Sequence, residues 1–430
     1  MSRARTTRAA AGLLSILLVI FSVLVVCLPA PSFAAAATTT STTTTTLPAA
    51  ASATGVPSTA VAPSVSVGGT DTIGAPPSIK GKAAILIDES DGRVIYAYNA
   101  DARRAMASTT KIMTGILSIE TLPLDRVITA SKKAAAVGES EIGLVPGEQM
   151  KVRDLLYALL VQSANDVAVD LAEASAGSES AFVAKMNEKA AALGLTNTHY
   201  ANSHGLDQTG HYTSARDLAS LARYAMQNPL FRELVSTATT TIPWPGHSTS
   251  MTLKNHNRLL GKVDYVNGVK TGFTDDAMFC LVSSGTLNGT SLIAVVLGGD
   301  NWDAVDSTST ALLQYGFSQY HQEVVTTKGA VVRDVPVPYH YQQTLPLATD
   351  AGLSLSVFGK DRVQQVVEVT HPLTLPVQEG ATLGTVRYTV AGRLVGEVKL
   401  VATRSVGPAT LGVRLRYLWD RLIASVRDLI

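Results

Sequence analysis

Cysteine is almost missing. The 430-residue chain has two, Cys27 inside an apolar N-terminal run and Cys280 far downstream. Once that run is removed, Cys280 is alone and an intrachain disulfide is excluded. Its expected role is a small buried residue in a strand. Net charge is also nearly absent, with 35 Lys and Arg against 34 Asp and Glu. That balance argues against a nucleic-acid partner held by electrostatics. None of the eight histidines sits in a His-Glu-x-x-His pattern. With no second cysteine beside Cys280, zinc hydrolysis is disfavoured, and neither a metal nor a cofactor is expected. His204 and His256 are read as hydrogen-bonding groups rather than ligands. A Gly-x-Ser-x-Gly elbow is missing too, which disfavours a Ser-His-Asp hydrolase.

The N-terminus carries a pattern. Arg3, Arg5 and Arg8 precede an apolar run over 13–26, and Ser32-Phe33-Ala34 resembles a small-x-small cleavage site. The apolar run, extended over 9–30, is also long enough to span a bilayer. Residues 1–34 are therefore a signal peptide or an uncleaved N-terminal anchor. Val26 before Cys27 weakens a lipoprotein reading. Either way the remainder is expected outside the cytoplasm, at the outer face of the cell membrane or in the cell wall. Residues 35–78 are mostly Ala, Thr, Ser and Pro, with one acidic residue, Asp71, and no aromatic. Such a stretch cannot bury enough apolar surface to fold, so it reads as a disordered linker.

Order is expected from about residue 79. Strands at 83–88 and 93–98 flank the turn Ser90-Asp91-Gly92, and strands recur at 266–271, 278–283 and 292–297. Between them lie helical patterns beginning near Ser108 and at 152–174, 180–193 and 217–226, with another at 304–315. Strands at both ends and helices between predict an α+β layered domain over 79–322. From 323 to 405 the chain turns to short β-type runs punctuated by proline and glycine, which predicts a small β-sandwich. Residues 408–430 form an amphipathic pattern. Leu411, Leu415, Leu418, Trp419, Leu422, Ile423, Val426, Leu429 and Ile430 share one face, and Arg414, Arg416, Asp420, Arg421, Arg427 and Asp428 share the other. The pattern suits a helix lying on a membrane surface. A terminal helix packed on the β domain is the alternative.

Three short motifs carry chemistry. Ser108-x-x-Lys111 sets a hydroxyl and an amine three residues apart, on one face of a helix. A serine is a poor nucleophile until a base takes its proton. A lysine can be that base when burial or a nearby cation lowers its pKa. Alone, this motif more often marks an N-cap followed by a solvated lysine. The second motif, Ser163-Ala164-Asn165, interrupts an apolar helical stretch with small polar residues. It offers a proton-relaying hydroxyl and an amide that can bind peptide backbone. The third, Lys270-Thr271-Gly272, ends a predicted strand. Its lysine and threonine suit a terminal carboxylate, and Lys270 would help keep Lys111 neutral.

Ser-x-x-Lys, Ser-x-Asn and Lys-Thr-Gly in this order are the signature of penicillin-binding proteins and class A β-lactamases. From about 80 to 320 the chain resembles the low-molecular-mass serine D-alanyl-D-alanine carboxypeptidases of the penicillin-binding protein 5 type. The likeness includes Ala107-Ser108-Thr109-Thr110-Lys111-Ile112-Met113-Thr114, Leu160-Val161-Gln162-Ser163-Ala164-Asn165-Asp166 and Asn202-Ser203-His204-Gly205-Leu206-Asp207. It continues through Tyr212-Thr213-Ser214-Ala215-Arg216-Asp217-Leu218-Ala219 and Gly268-Val269-Lys270-Thr271-Gly272-Phe273-Thr274. Pro372-Leu373, Pro376-Val377, Gly380 and Gly384 resemble the family's second domain more loosely. The resemblance implies a β-lactamase/transpeptidase-like catalytic domain with an antiparallel sheet, acting on peptidoglycan stem peptides and acylated by β-lactam antibiotics. It implies Ser108 as nucleophile, Lys111 as general base and Ser163 as proton shuttle. Asn165, Lys270, Thr271 and Gly272 would bind substrate, and the N–H groups of Ser108 and Phe273 would form the oxyanion hole. Three positions depart from the pattern of some members: His256 and Val305 stand where they carry arginine, and Phe273 where histidine is frequent. No Glu-x-x-x-Asn setting for β-lactamase deacylation occurs between Asn165 and Lys270. A weakly active or non-catalytic wall protein and a D,D-endopeptidase are the alternatives.

Overall fold

The computed structural model describes residues 74–244, 249–370 and 373–427. The expected export segment, nearly all of the expected linker, Pro372 of the second-domain match and the last three residues lie outside the described residues.

Two strands open the described chain, β1 (Ala83–Asp88) and β2 (Val94–Tyr98). The Asp88 carboxylate accepts from Ser90 N at 2.7 Å and holds the turn between them. A 3-10 turn, Ala107–Thr110, then runs into α1 (Lys111–Thr121). Next come β3 (Val127–Thr129), β4 (Gln149–Lys151), α2 (Val152–Leu160), α3 (Asn165–Ala176), α4 (Glu179–Ala192), α5 (Ala215–Ala225) and α6 (Pro229–Ser236). The domain closes with β5 (Thr239–Ile242), β6 (Met251–Lys254), β7 (Val266–Thr274), β8 (Met278–Leu287), β9 (Thr290–Gly299) and α7 (Trp302–Ser318).

The central sheet is antiparallel in the order β2-β1-β9-β8-β7. Strand side chains alternate between faces. Ala83, Ile85, Ile87, Ile293, Val295 and Leu297 pack into the helical core. Ala84, Leu86, Leu292, Ala294 and Val296 pack beneath Val305, Leu312 and Leu313 of α7. With both faces covered, β1 is buried along its whole length and apolar from Ala83 to Ile87 rather than alternating. Helix α1 runs through the core, and every residue from Lys111 to Ser118 is buried. The fold thus carries Lys111 into an apolar interior. Helix starts follow local chemistry: Ser178, Ser214, Asn228 and Asn301 each accept a backbone N–H of the helix they precede.

Two sequence expectations change. The predicted helix over 152–174 is two helices, broken at 161–164, with Ser163 at φ +67°. Small polar side chains offer the backbone other hydrogen bonds, and the break falls on them. Lys270-Thr271-Gly272 lies inside β7, which runs on to Thr274.

Beyond α7 the chain is β-rich: β10 (Tyr320–Thr326), β11 (Val331–Pro336), β12 (Thr344–Thr349), β13 (Leu353–Phe358), β14 (Val363–Val369), β15 (Thr382–Val390) and β16 (Arg393–Ala402). One sheet has the order β11-β12-β16-β15-β14, and β10 pairs with β13 in another. Leu345, Leu347, Leu355, Val357, Val386 and Leu400 from both sheets share one core. Because β10 begins at Tyr320, an expected boundary at 322–323 falls within that strand. A cavity of about 550 Å³ lies where the β1–β2 turn meets β13, lined by residues that include Asp88, Arg93, Thr290, Tyr320, Ser356 and Asp361. None of the expected site residues lines it. The described chain ends with α8 (Leu411–Arg427), none of whose residues is buried. Among the described residues no helix is long and apolar enough to cross a membrane.

Candidate active site

Ser108 sits in the 3-10 turn ahead of α1, half-exposed, while Thr109, Thr110 and Lys111 beside it are buried. Ala107 has φ +48°, unusual for a residue with a side chain. Two backbones press on this turn. A Cβ added at Gly205, where φ is +103°, would stand 2.1 Å from Ala107 O. One added at Gly272 would stand 2.9 Å from Ser108 N. Only glycine allows either approach. Strand β7 therefore lays its backbone directly against the Ser108 amide.

Lys111 is fully buried. Its Nζ lies 3.0 Å from Ser108 Oγ, 2.6 Å from Asn165 Oδ1 and 2.7 Å from His204 O. Desolvation first, and the Lys270 charge second, hold its pKa well below the usual lysine value. In its neutral form, which the lowered pKa favours, the amine has two N–H groups and one lone pair. Asn165 Oδ1 and His204 O can only accept, so they take both N–H groups. The lone pair is left facing the Ser108 hydroxyl. Asn165 is fixed at its other end, because Nδ2 donates to Gly138 O at 3.1 Å.

Lys270 and Thr271 are buried on β7. Lys270 Nζ donates to Thr271 O at 3.1 Å, and burial brings its pKa down to about 7. It acts on Lys111 through its charge. Phe273, next along the strand, is 49% exposed and lies against Phe279, with ring centroids 4.6 Å apart. Ser163 is buried in the α2–α3 turn, two residues before Asn165. Burial first, and then the neighbouring Lys270 and Lys111 amines, lower the pKa of His256, which places it near the same cluster. Val305 is a core residue of α7.

Reading the sequence left out several supports. The buried Asp166 carboxylate accepts from the N–H groups of Ile142, Gly143 and Leu144, which ties the 138–147 loop to α3. Asp207 accepts from Thr274 Oγ1 at 2.7 Å and from Asp276 N at 3.1 Å, joining the 202–207 segment to the end of β7. His211 Nδ1 accepts from Ala201 N at 3.0 Å. Its proton is therefore on Nε2, which donates to Thr110 Oγ1 at 2.8 Å. Burial lowers the pKa of His211 to about 4 and keeps that arrangement. Asp166 and Asp207 lie at the ends of motif segments, but nothing in their spacing names the loops they hold. Among the described residues no group of three His, Cys, Asp or Glu side chains is placed to hold a metal ion.

The profile described as D-alanyl-D-alanine carboxypeptidase matches residues 70–301, and that described as penicillin-binding protein 5, C-terminal domain, matches 320–408. The D-alanyl-D-alanine carboxypeptidase DacF of Bacillus subtilis is 34% identical over 76% of this chain and 86% of its own length. The crystal structure of penicillin-binding protein 5 from Haemophilus influenzae covers 77% of this chain and 99% of its own, with 28% identity and a TM-score of 0.56. The Streptomyces K15 DD-transpeptidase structure covers 57% of this chain and 99% of its own, with 34% identity and a TM-score of 0.55. The similarity thus extends over both halves of the described chain.

Proposed function

The chain belongs to the D-alanyl-D-alanine carboxypeptidase family, and from that membership and the geometry at Ser108 we propose how it works. It is a serine D,D-carboxypeptidase that removes the terminal D-alanine of peptidoglycan stem pentapeptides and is acylated by β-lactams. The observation that carries the residue assignment is the buried Lys111 amine, its pKa held well below the usual lysine value and its Nζ 3.0 Å from Ser108 Oγ.

Ser108 Oγ attacks the carbonyl of the penultimate D-alanine, and Lys111 Nζ takes the hydroxyl proton. The oxyanion is met by the N–H groups of Ser108 and Phe273. Gly272 supports this role, since its lack of a side chain is what lets β7 reach the Ser108 amide. The C–N bond breaks, and a proton passes from Lys111 through Ser163 Oγ to the leaving amine, releasing D-alanine. Water then attacks the ester and loses a proton to the same base, the acyl C–O bond breaks, and Lys111 returns that proton to Ser108 Oγ, which restores both groups. Lys270 and Thr271 hold the terminal carboxylate, and Asn165 orients both substrate and Lys111.

The proposed layout is an N-terminal export segment over 1–34, a linker over 35–78, a catalytic domain from 79 to the end of α7, a β domain that begins with β10 at Tyr320 and runs to about 405, and a membrane-associating helix over 408–430. A peptidoglycan substrate supports action outside the cytoplasm. A purely binding role is not favoured, because it gives no reason to bury a neutral amine against a half-exposed serine. The test is release of D-alanine from a peptide ending in D-Ala-D-Ala, together with mass-spectrometric detection of a penicillin adduct. Ser108→Ala should abolish both. Release at the wild-type rate by that variant would refute the nucleophile assignment.

A further inference from the structure

Lys111 Nζ draws one of its three contacts from a backbone carbonyl, that of His204. This carbonyl lies between α4 and α5 in a segment with no helix or strand of its own. A loop carbonyl is a poor reference point unless something pins it. Glu179, the first residue of α4, is 8% exposed. Its Oε1 accepts from Ser203 N at 3.1 Å and from Ser203 Oγ at 2.8 Å. Its Oε2 meets Lys133 Nζ at 2.7 Å. Burial alone would raise its pKa, but Lys133 and the two Ser203 donors outweigh burial, and it stays a carboxylate. Ser203 O, the next atom group along, accepts from Thr114 Oγ1 on α1. The His204 ring agrees with this arrangement. Leu206 N–H donates to its Nδ1 at 3.2 Å, so the ring proton is on Nε2, 3.7 Å from Glu179 Oε1.

We propose that Glu179 is a positioning residue for Lys111: by clamping both donors of Ser203, it holds the adjoining His204 carbonyl against Nζ and so keeps the amine's lone pair on Ser108. This rests on the reading of Ser108 and Lys111 given above. The clamped residue, Ser203, and the one that bears the carbonyl, His204, are consecutive. With the carboxylate gone, Ser203 loses two bonds, the carbonyl is left to the holds of Asn202 Oδ1 on the His204 and Gly205 amides and of Thr114 on Ser203 O, and its bond from Nζ–H loosens. The amine is then free to turn its lone pair away from the hydroxyl. Small misplacements of this kind cost about 10- to 100-fold in rate.

The test compares full-length wild type with Glu179→Ala, Glu179→Gln and Ser203→Ala. Acylation by benzylpenicillin is followed by rapid-quench mass spectrometry over concentration and pH, which separates the limiting rate from the apparent Kd. Glu179→Ala should lower the limiting rate about 10- to 100-fold and leave the Kd within about twofold. The loss should persist at alkaline pH, because the defect is one of direction rather than protonation. Glu179→Gln keeps an oxygen that can accept from Ser203 and should recover most of the rate. A wild-type limiting rate in Glu179→Ala, full recovery of it at alkaline pH, or an equal loss in Glu179→Gln would each overturn the proposal. Should Glu179→Ala fail to fold, Ser203→Ala decides. It removes one of the two clamped donors, so a limiting rate about 3- to 10-fold down supports the clamp, and an unchanged rate overturns it. Undiminished acylation of a Ser108→Ala control would instead defeat the nucleophile reading on which the proposal stands.

Discussion

A lysine at the head of a buried helix must be paired, or lose its proton. Lys111 has no carboxylate partner among its hydrogen bonds, only an amide oxygen, a carbonyl and a hydroxyl. Neutrality is what makes it a base. Lys111→Ala should therefore reduce acylation by about 10²- to 10⁴-fold. It should not stabilise the fold despite removing a buried amine, because Asn165 Oδ1 and His204 O lose a donor. Each unsatisfied acceptor costs about 1–3 kcal/mol. Acylation kinetics and a thermal melt of one sample measure both effects. Lys270 titrates in the opposite functional sense. Its pKa is about 7, and only the ammonium form attracts a carboxylate. As pH rises through that value the ammonium is lost and carboxylate binding weakens. Well above it, KM should climb by up to about tenfold per pH unit. A substrate whose terminal carboxylate is esterified should show a flatter KM, so comparing the two against pH isolates Lys270. At the acid end, acylation should fall as Lys111 gains its proton, giving a bell-shaped kcat/KM.

The site is assembled by irregular elements as much as by regular ones. The 202–207 segment supplies the His204 carbonyl and, through Gly205, the floor beneath the Ser108 turn. Gly205→Ala would put a methyl group into Ala107 O and require a left-handed φ of an L side chain. The turn carrying Ser108 must then move. The expected outcome is a loss of about 1–3 kcal/mol in stability and at least tenfold slower acylation. A variant that melts and acylates like wild type would show that the turn yields freely. The same segment marks the limit of what could be read from sequence. Ser108, Lys111 and Asn165 were legible because helix geometry ties three-residue spacing to a shared face, and because motif order is informative. β1, β7, β8, β9 and α7 were legible from apolar runs bounded by turn residues. The break at 161–164 was not, because apolar residues on both sides mimic one continuous helix, and only the backbone at Ser163 reveals the turn. Helix α6 and the pairs β3–β4 and β5–β6 are too short to set a period. A carbonyl that receives a bond from Lys111 carries no side-chain signature, so neither the His204 contact nor the Glu179 clamp behind it could be inferred from residue type.

At the scale of the whole chain the open question is what α8 meets. Leu411, Leu415, Leu418, Trp419, Leu422, Ile423 and Val426 are all at least 41% exposed. They form one stripe at 100° per residue. The helix is held from another side, where Arg414 lies 4.7 Å over the Tyr339 ring and Tyr417 meets the same ring edge-on. On the helical wheel Arg414 and Tyr417 sit beside Arg421, away from the centre of the apolar stripe. The β domain can thus keep hold of α8 while its stripe stays open. Arg414, Arg416, Arg421 and Arg427 outnumber the one acid of the described helix, Asp420, which favours an anionic lipid surface over a neutral one. Truncation after Gly407 should abolish flotation with anionic vesicles, and Leu415→Glu with Leu422→Glu should do the same in the full-length helix. Neither change touches the contacts around Lys111, so D-alanine release from a soluble peptide should stay within about twofold of wild type. Flotation that survives both changes would move the anchor to the N-terminal segment. Flotation lost together with catalytic rate would mean that α8 supports the fold rather than a membrane contact.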